Sequence, residues 1–164
     1  HREENVDSEE RLGMLYESIE KIIEKYPENP IIFPIHPRTE KRLRQFGLKE
    51  QFYNLEGMEI IEPLGYIDFL KLMDHAKLVL TDSGGIQEET CIMQTPCVTL
   101  RDNTERPETV DVGANIVTGL EHGNVLKGIK EMLSRKKDWS NPFGDGKAAR
   151  EIIRTILKSL KDTT

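Results

Sequence analysis

Thr81-Asp82-Ser83-Gly84-Gly85-Ile86-Gln87-Glu88-Glu89 follows the apolar run Leu78-Val79-Leu80 and reads as the point where a buried strand passes into a helix. In an open parallel sheet, such a junction at the carboxyl end of a strand is where ligands bind. Two glycines let backbone N–H groups come close to an anion at the positive end of the helix dipole, and the Ser83 hydroxyl offers a further hydrogen bond. Glu89 falls one helical turn beyond Gly85 on the same face, where its carboxylate can accept hydrogen bonds from a ribose diol. The stretch thus suits a phosphate cradle with nucleotide-sized reach. It equally suits a plain helix start, with Ser83 as cap and the glycines permitting close strand–helix packing. Neither Gly-x-Gly-x-x-Gly nor Gly-Lys-Ser/Thr occurs there, so the dinucleotide fingerprint and the P-loop are both excluded.

Strands and helices alternate on either side of this junction. Upstream, Leu12, Leu15, Ile19, Ile22, Ile23 and Tyr26 share one face of a helix running from Val6 to about Tyr26, with Asp7 and Glu10 as a capping box. Pro27-Glu28-Asn29-Pro30 ends it, and the apolar run Ile31 to Ile35 predicts a strand covered on both faces. A helix over 38–46, a strand over 58–61, a helix face of Tyr66, Phe69, Leu70 and Met73, and a strand over 77–81 lead into the junction. Beyond it the pattern predicts a helix over 84–93, a strand over 96–100, an irregular stretch containing Pro107, a strand over 114–118, and helices over 125–133 and 148–160. Turn residues Asn141-Pro142 and Gly144-Asp145-Gly146 mark a linker over 136–147. The fold class is α/β, a Rossmann-like, mostly parallel sheet with helices on both faces. Such a fold should open on a strand, whereas the first predicted element is a helix, so a strand is expected upstream of His1.

The chain's 164 residues are about one domain's worth, and 37% apolar residues suffice for one ordinary core. Lys and Arg number 23 against 29 Asp and Glu, a net charge of −6, which argues against a basic nucleic-acid-binding face. No apolar run approaches the roughly 18 residues of a membrane span, and the charged stretch His1 to Asp7 is no secretory signal. Cys91 and Cys97 fit neither a metal spacing nor a disulfide framework; they read as small buried residues of a cytoplasmic protein. No cluster of His, Cys and carboxylates predicts a metal site.

A second charged cluster, Leu100-Arg101-Asp102-Asn103-Thr104-Glu105-Arg106-Pro107-Glu108, also follows a strand's carboxyl end, and two arginines there could clamp a diphosphate. Taken alone, it could equally be a surface loop of mixed charge. Together the two clusters resemble the non-hydrolysing UDP-N-acetylglucosamine 2-epimerases. His1-Arg2-Glu3-Glu4-Asn5 is similar to that family's His-Arg-x-Glu-Asn segment, Pro34-Ile35-His36-Pro37 to its Pro-Val-His segment, and Asn141-Pro142-Phe143-Gly144-Asp145-Gly146 to its Asn-Pro-Tyr/Phe-Gly-Asp-Gly. These landmarks run in the family's order over nearly the whole chain.

The resemblance implies one half of a GT-B-type fold, the carboxyl-terminal, UDP-binding half of a two-domain isomerase. That enzyme would interconvert UDP-N-acetylglucosamine and UDP-N-acetylmannosamine through 2-acetamidoglucal. Residues 1–147 would be the Rossmann-like domain, and 148–164 a terminal helix packing towards the amino-terminal domain. Ser83, Gly84 and Gly85 would hold the diphosphate with Arg106 beside it, Glu89 the ribose, and Phe69 the uracil, although Phe69 also suits the core. The family position matching Leu64 is a glutamine in some members, so backbone groups near Leu64 would replace it. His1 matches the active-site histidine, while Arg2 and His36 match a regulatory site of bacterial members; His36 could instead be a buried strand-end histidine. The implied partners are UDP, UDP-N-acetylhexosamine and the amino-terminal domain, in a cytoplasmic homodimer without cofactor. That domain would carry the acid and base carboxylates, leaving this chain alone to bind UDP weakly without turnover. A GT-B glycosyltransferase is the alternative, followed by a non-catalytic nucleotide-sugar sensor and a hydrolysing epimerase.

Overall fold

A computed structural model describes residues 1–162. The chain starts with a short helix, α1 (Glu3–Val6), and then α2 (Glu9–Lys25), where the sequence predicts one helix. The break comes at the cap. Ser8, not Asp7, caps α2, accepting from the Arg11 amide at 3.3 Å. Asp7 turns away to bind Arg38 at 2.6 Å and Arg42 at 2.9 Å. Next come β1 (Ile31–Pro34), α3 (Pro37–Gln45), α4 (Lys49–Tyr53), β2 (Met58–Ile61) and α5 (Tyr66–His75). The chain continues through β3 (Val79–Thr81), α6 (Gly84–Ile92), β4 (Cys97–Thr99), α7 (Pro107–Asp111), β5 (Asn115–Val117), α8 (His122–Ser134) and α9 (Ala148–Asp162). Helix α7 lies in the stretch read as irregular, and α4 between 46 and 58, where the sequence pattern assigns no element. Residues 163 and 164 of the expected terminal segment fall outside the described residues.

Every strand pairing is parallel, so the α/β expectation holds. Strand β1 pairs with β2, and β3, β4 and β5 form a second sheet in that order. Among the described residues no strand bridges β1 and β3. Helix α2 splints the two halves instead. Its Leu12 and Ile19 join Val6, Ile35, Leu43 and Phe52 in one core, while its Ile22 joins Val98, Leu120, Val125, Ile129 and Met132 in the other. Fully burying each such side chain contributes on the order of 1.5–3 kcal/mol. Strand β4 is buried along its whole length between α8 on one face and α6 on the other. Strand β1 is less covered than its apolar run suggests: Ile32 is 36% exposed, opposite Glu59 on β2.

The segment over 136–147 is mostly exposed but anchored at Trp139. Trp139 is buried with Cys91 and Ala114, and its indole N–H donates to the Cys91 carbonyl at 3.0 Å. Beyond it, Phe143 packs against the same cluster and its neighbours are exposed. There the Asn141 side chain accepts from the Phe143 amide and donates to the Gly144 carbonyl, and Gly144 and Gly146 take φ of +85° and +77°, which a side chain would oppose.

Candidate functional site

The turn between β3 and α6 leaves its helix without a side-chain cap. Ser83 sits at the N-cap position, yet its side chain makes no capping bond. Its own amide donates to Thr81 Oγ1 at 3.0 Å, and the Gln87 amide to the Ser83 carbonyl at 3.2 Å. This leaves the Gly84, Gly85 and Ile86 amides as first-turn donors of a helix that no side chain caps and whose first turn holds no acidic residue. Nor do the glycines serve packing. Both have helical, negative φ. A Cβ on Gly84 would meet nothing closer than Glu105 Oε2 at 3.5 Å, and one on Gly85 would reach only Ser83 Oγ at 4.0 Å. Gly84 is buried beneath the Arg106 loop, whereas Gly85 is exposed with nothing packed over it.

The second charged cluster folds over this turn. A Cβ on Gly84 would lie 3.7 Å from Arg106 Cζ, so the guanidinium stands over the first turn of α6. Its Nε donates to Glu88 and its Nη1 to the Glu105 carbonyl. Glu88 is therefore an ion-pair partner of Arg106 rather than a merely solvated acid. Arg101 departs from the expected clamp: it is only 7% exposed, and its guanidinium bonds Glu4 (2.5 Å), Glu105 (3.2 Å) and Asn103 (3.2 Å). It ties this loop to α1. The hydrogen bond and charge of Arg101, with the charges of Arg2 and Arg106, hold the Glu105 carboxyl below its usual range.

Asp82 brings the opening residues of the chain to the same corner, a part the sequence reading left unassigned. Its Oδ2 accepts from the backbone nitrogens of His1 (2.7 Å) and Arg2 (2.9 Å), and Arg2 Nη2 lies 3.7 Å from Glu105. The His1 ring stacks on His36, with centroids 4.2 Å apart. His36 is exposed, not a buried strand-end residue, and its Nδ1 caps α3 by accepting from the Arg38 amide at 3.1 Å. A cleft of about 590 Å³ opens here, lined by His1, Arg2, Glu3, Glu4, Arg38 and Arg101.

Glu89 and Phe69 lie on the other side of the turn, where α5 packs against α6. The charge of Glu89, with slight desolvation and a hydrogen bond to its carboxylate, raises the Tyr66 phenol. Phe69 is half-buried and belongs to none of the core clusters, while Leu64, Tyr66 and Ile67 beside it are exposed. Of the apolar face predicted for α5, Met73 alone is fully buried. Ser83, Gly84, Gly85, Arg106, His1 and Arg2 thus meet at one corner, with His36 stacked beyond it. Among the described residues no three His, Cys, Asp or Glu gather as metal ligands, and no helix is long and apolar enough to cross a membrane. Cys91 and Cys97 are buried free thiols, with burial pushing Cys97 up to about 12.

The UDP-N-acetylglucosamine 2-epimerase family matches the chain over residues 1–157. A UDP-N-acetylglucosamine 2-epimerase of Methanocaldococcus jannaschii is 53% identical over 156 residues, which is 95% of this chain and 42% of that protein. A UDP-2,3-diacetamido-2,3-dideoxy-D-glucuronate 2-epimerase of Pseudomonas aeruginosa is 34% identical over 159 residues, 96% of this chain and 43% of that protein. The crystal structure of the M. jannaschii enzyme in complex with UDP-GlcNAc and UDP superposes with a TM-score of 0.90 at 52% identity, covering 96% of this chain and 43% of that one. The chain spans less than half the length of these relatives. Its architecture is one half of a GT-B-type fold.

Proposed function

Since this chain belongs to the UDP-N-acetylglucosamine 2-epimerase family, we propose that it is the UDP-binding half of an isomerase interconverting UDP-N-acetylglucosamine and UDP-N-acetylmannosamine. The observation that carries this reading is the uncapped start of α6, with Gly84 beneath the Arg106 guanidinium and Gly85 open beside it. A diphosphate there accepts from the Gly84, Gly85 and Ile86 amides and from the Ser83 hydroxyl, and draws Arg106 from Glu88 onto its own oxygens. Glu89 takes the ribose hydroxyls and Phe69 the uracil, beside the exposed backbone near Leu64. The N-acetylglucosamine substrate is favoured over the diacetamido-glucuronate because identity to the relative named for the former is 53%, against 34% for the latter.

The chemistry sets what these residues must do. The C2 proton of the sugar has no adjacent carbonyl to stabilise a carbanion, so simple exchange is unfavourable. In elimination, a base takes the C2 proton, the C1–C2 double bond forms and the C1–O bond breaks, its electron pair leaving on UDP. Reprotonation on the opposite face and re-addition of UDP at C1 complete the inversion. Negative charge therefore grows on the departing diphosphate, and the α6 amides, Arg106 and a protonated His1 stabilise it more in the transition state than in the substrate. The acid and base carboxylates belong to the amino-terminal domain, so this chain alone binds UDP weakly and does not turn over the nucleotide sugar.

Arg2, which lines the cleft, and His36, stacked on His1, form a second, regulatory nucleotide-sugar site. The segment from 148 packs its apolar face on the amino-terminal domain. Two buried thiols fit a cytoplasmic protein, and the full-length enzyme works as a homodimer. Incubating the full-length protein with UDP-N-acetylglucosamine in deuterated water tests the reading: deuterium should appear at C2 of a sugar still bearing UDP. Transfer of the sugar to an acceptor without C2 exchange would instead indicate a GT-B glycosyltransferase.

A further inference from the structure

We propose that Gln87 is the positioning residue that fixes Arg106 over the α6 turn, an inference resting on the reading of that turn as the diphosphate site. Gln87 lies in α6 one turn beyond Ser83 and is fully buried. Its Oε1 accepts from Thr104 Oγ1 at 2.5 Å and from Asn115 Nδ2 at 3.2 Å. Each of these partners leads to one side of Arg106. Thr104 Oγ1 accepts from the Arg106 amide at 2.9 Å. Asn115 Nδ2 also donates to Thr109 Oγ1 at 3.1 Å, and that hydroxyl donates to the Arg106 carbonyl at 2.7 Å. Both peptide groups flanking the arginine are thus referred back to one oxygen, carried by the helix whose first turn supplies the amide donors.

The same chain of bonds fixes the orientation of the Gln87 amide. The Thr109 hydroxyl spends its one proton on the Arg106 carbonyl and so accepts from Asn115, which turns Asn115 Nδ2 towards Gln87 and makes Gln87 present its oxygen. The cost falls on the other end of the amide, because Gln87 Nε2 is buried without a hydrogen-bond partner. An apolar side chain of equal length would remove that penalty. What it could not supply is the acceptor that couples the Arg106 loop to α6. Retaining a half-satisfied glutamine in a tight core suits a residue held for the geometry it imposes on its neighbour.

A double-mutant cycle on this chain reads that coupling, with UDP and uridine as titrants in calorimetry. Gln87→Met should weaken UDP binding by about fivefold, the scale of one neutral hydrogen bond, and leave uridine binding unchanged. In an Arg106→Ala background the same substitution should produce no further loss. Thr104→Val breaks the same link outside the core and should behave alike, with Thr104→Ser restoring affinity; it carries the test if Gln87→Met does not fold. Additive losses in the Arg106→Ala background, an equal loss for uridine, or UDP affinity unchanged by both Gln87→Met and Thr104→Val would overturn the positioning role. If Arg106→Ala itself binds UDP as the wild type does, the diphosphate reading beneath it fails instead.

Discussion

Gly85 and Gly128 are both helical glycines, and their surroundings are opposite. A Cβ on Gly128 of α8 would lie 2.6 Å from Thr118 Cγ2, whereas one on Gly85 would stand in near-open space. Gly128→Ala should therefore lower stability by about 1–3 kcal/mol through overpacking. Gly85→Ala should hold or raise it, since alanine is the better helix former by roughly 0.8–1 kcal/mol, while weakening UDP binding by crowding the phosphate. Thermal unfolding and calorimetric titration of the two variants check this pair; a destabilised Gly85→Ala with normal UDP affinity would make Gly85 a packing residue. Sequence alone left this open, because a serine followed by two glycines is good chemistry both for a cap and for an anion site. The Ser83 hydroxyl's freedom and the open space at Gly85 favour the anion site, and neither can be read from the local sequence. Arg101 shows the converse: as a charged residue after a strand it reads as a clamp, but Glu4, 97 residues earlier, claims its guanidinium.

Helix α9 carries Ile152, Ile153, Ile156, Leu157 and Leu160 on one face, each 53–62% exposed. A stripe of that width has the shape of a helix face meant for a partner surface. Among the described residues it adds nothing to either core, so a chain ending at Lys147 should unfold at the same temperature as the longer one. A clear drop in melting temperature would show α9 packing on this domain and remove the proposed contact with the amino-terminal domain. The long helices α2, α8 and α9 were legible because several turns of apolar periodicity accumulate in each. Helices α4 and α7, five residues apiece, are too short for a period to emerge. The cap of α2 was misplaced by one residue because Asp7 is drawn to Arg38 and Arg42 on α3, partners that only the folded chain brings near.

At the scale of the molecule, two parallel half-sheets are held together by α2, and the opening residues return across the carboxyl ends of the strands to Asp82. That return puts His1 and Arg2 against Asp82 and Glu105, next to Ser83 and Arg106, so on the proposed reading a nucleotide's charged middle would meet residues from the opening and the middle of the chain at once. Strand–helix alternation made the architecture readable, and the order of the motifs pointed to the family. The tie through Asp82 and the network behind Gln87 were hidden because they join positions with no periodic relation. A crystal structure of this chain grown with UDP bears on the whole account. We expect both phosphates at hydrogen-bond distance from the Gly84, Gly85 and Ile86 amides, with the Arg106 guanidinium turned from Glu88 onto them. Phosphates bound elsewhere, with the start of α6 still open and Arg106 still on Glu88, would contradict it.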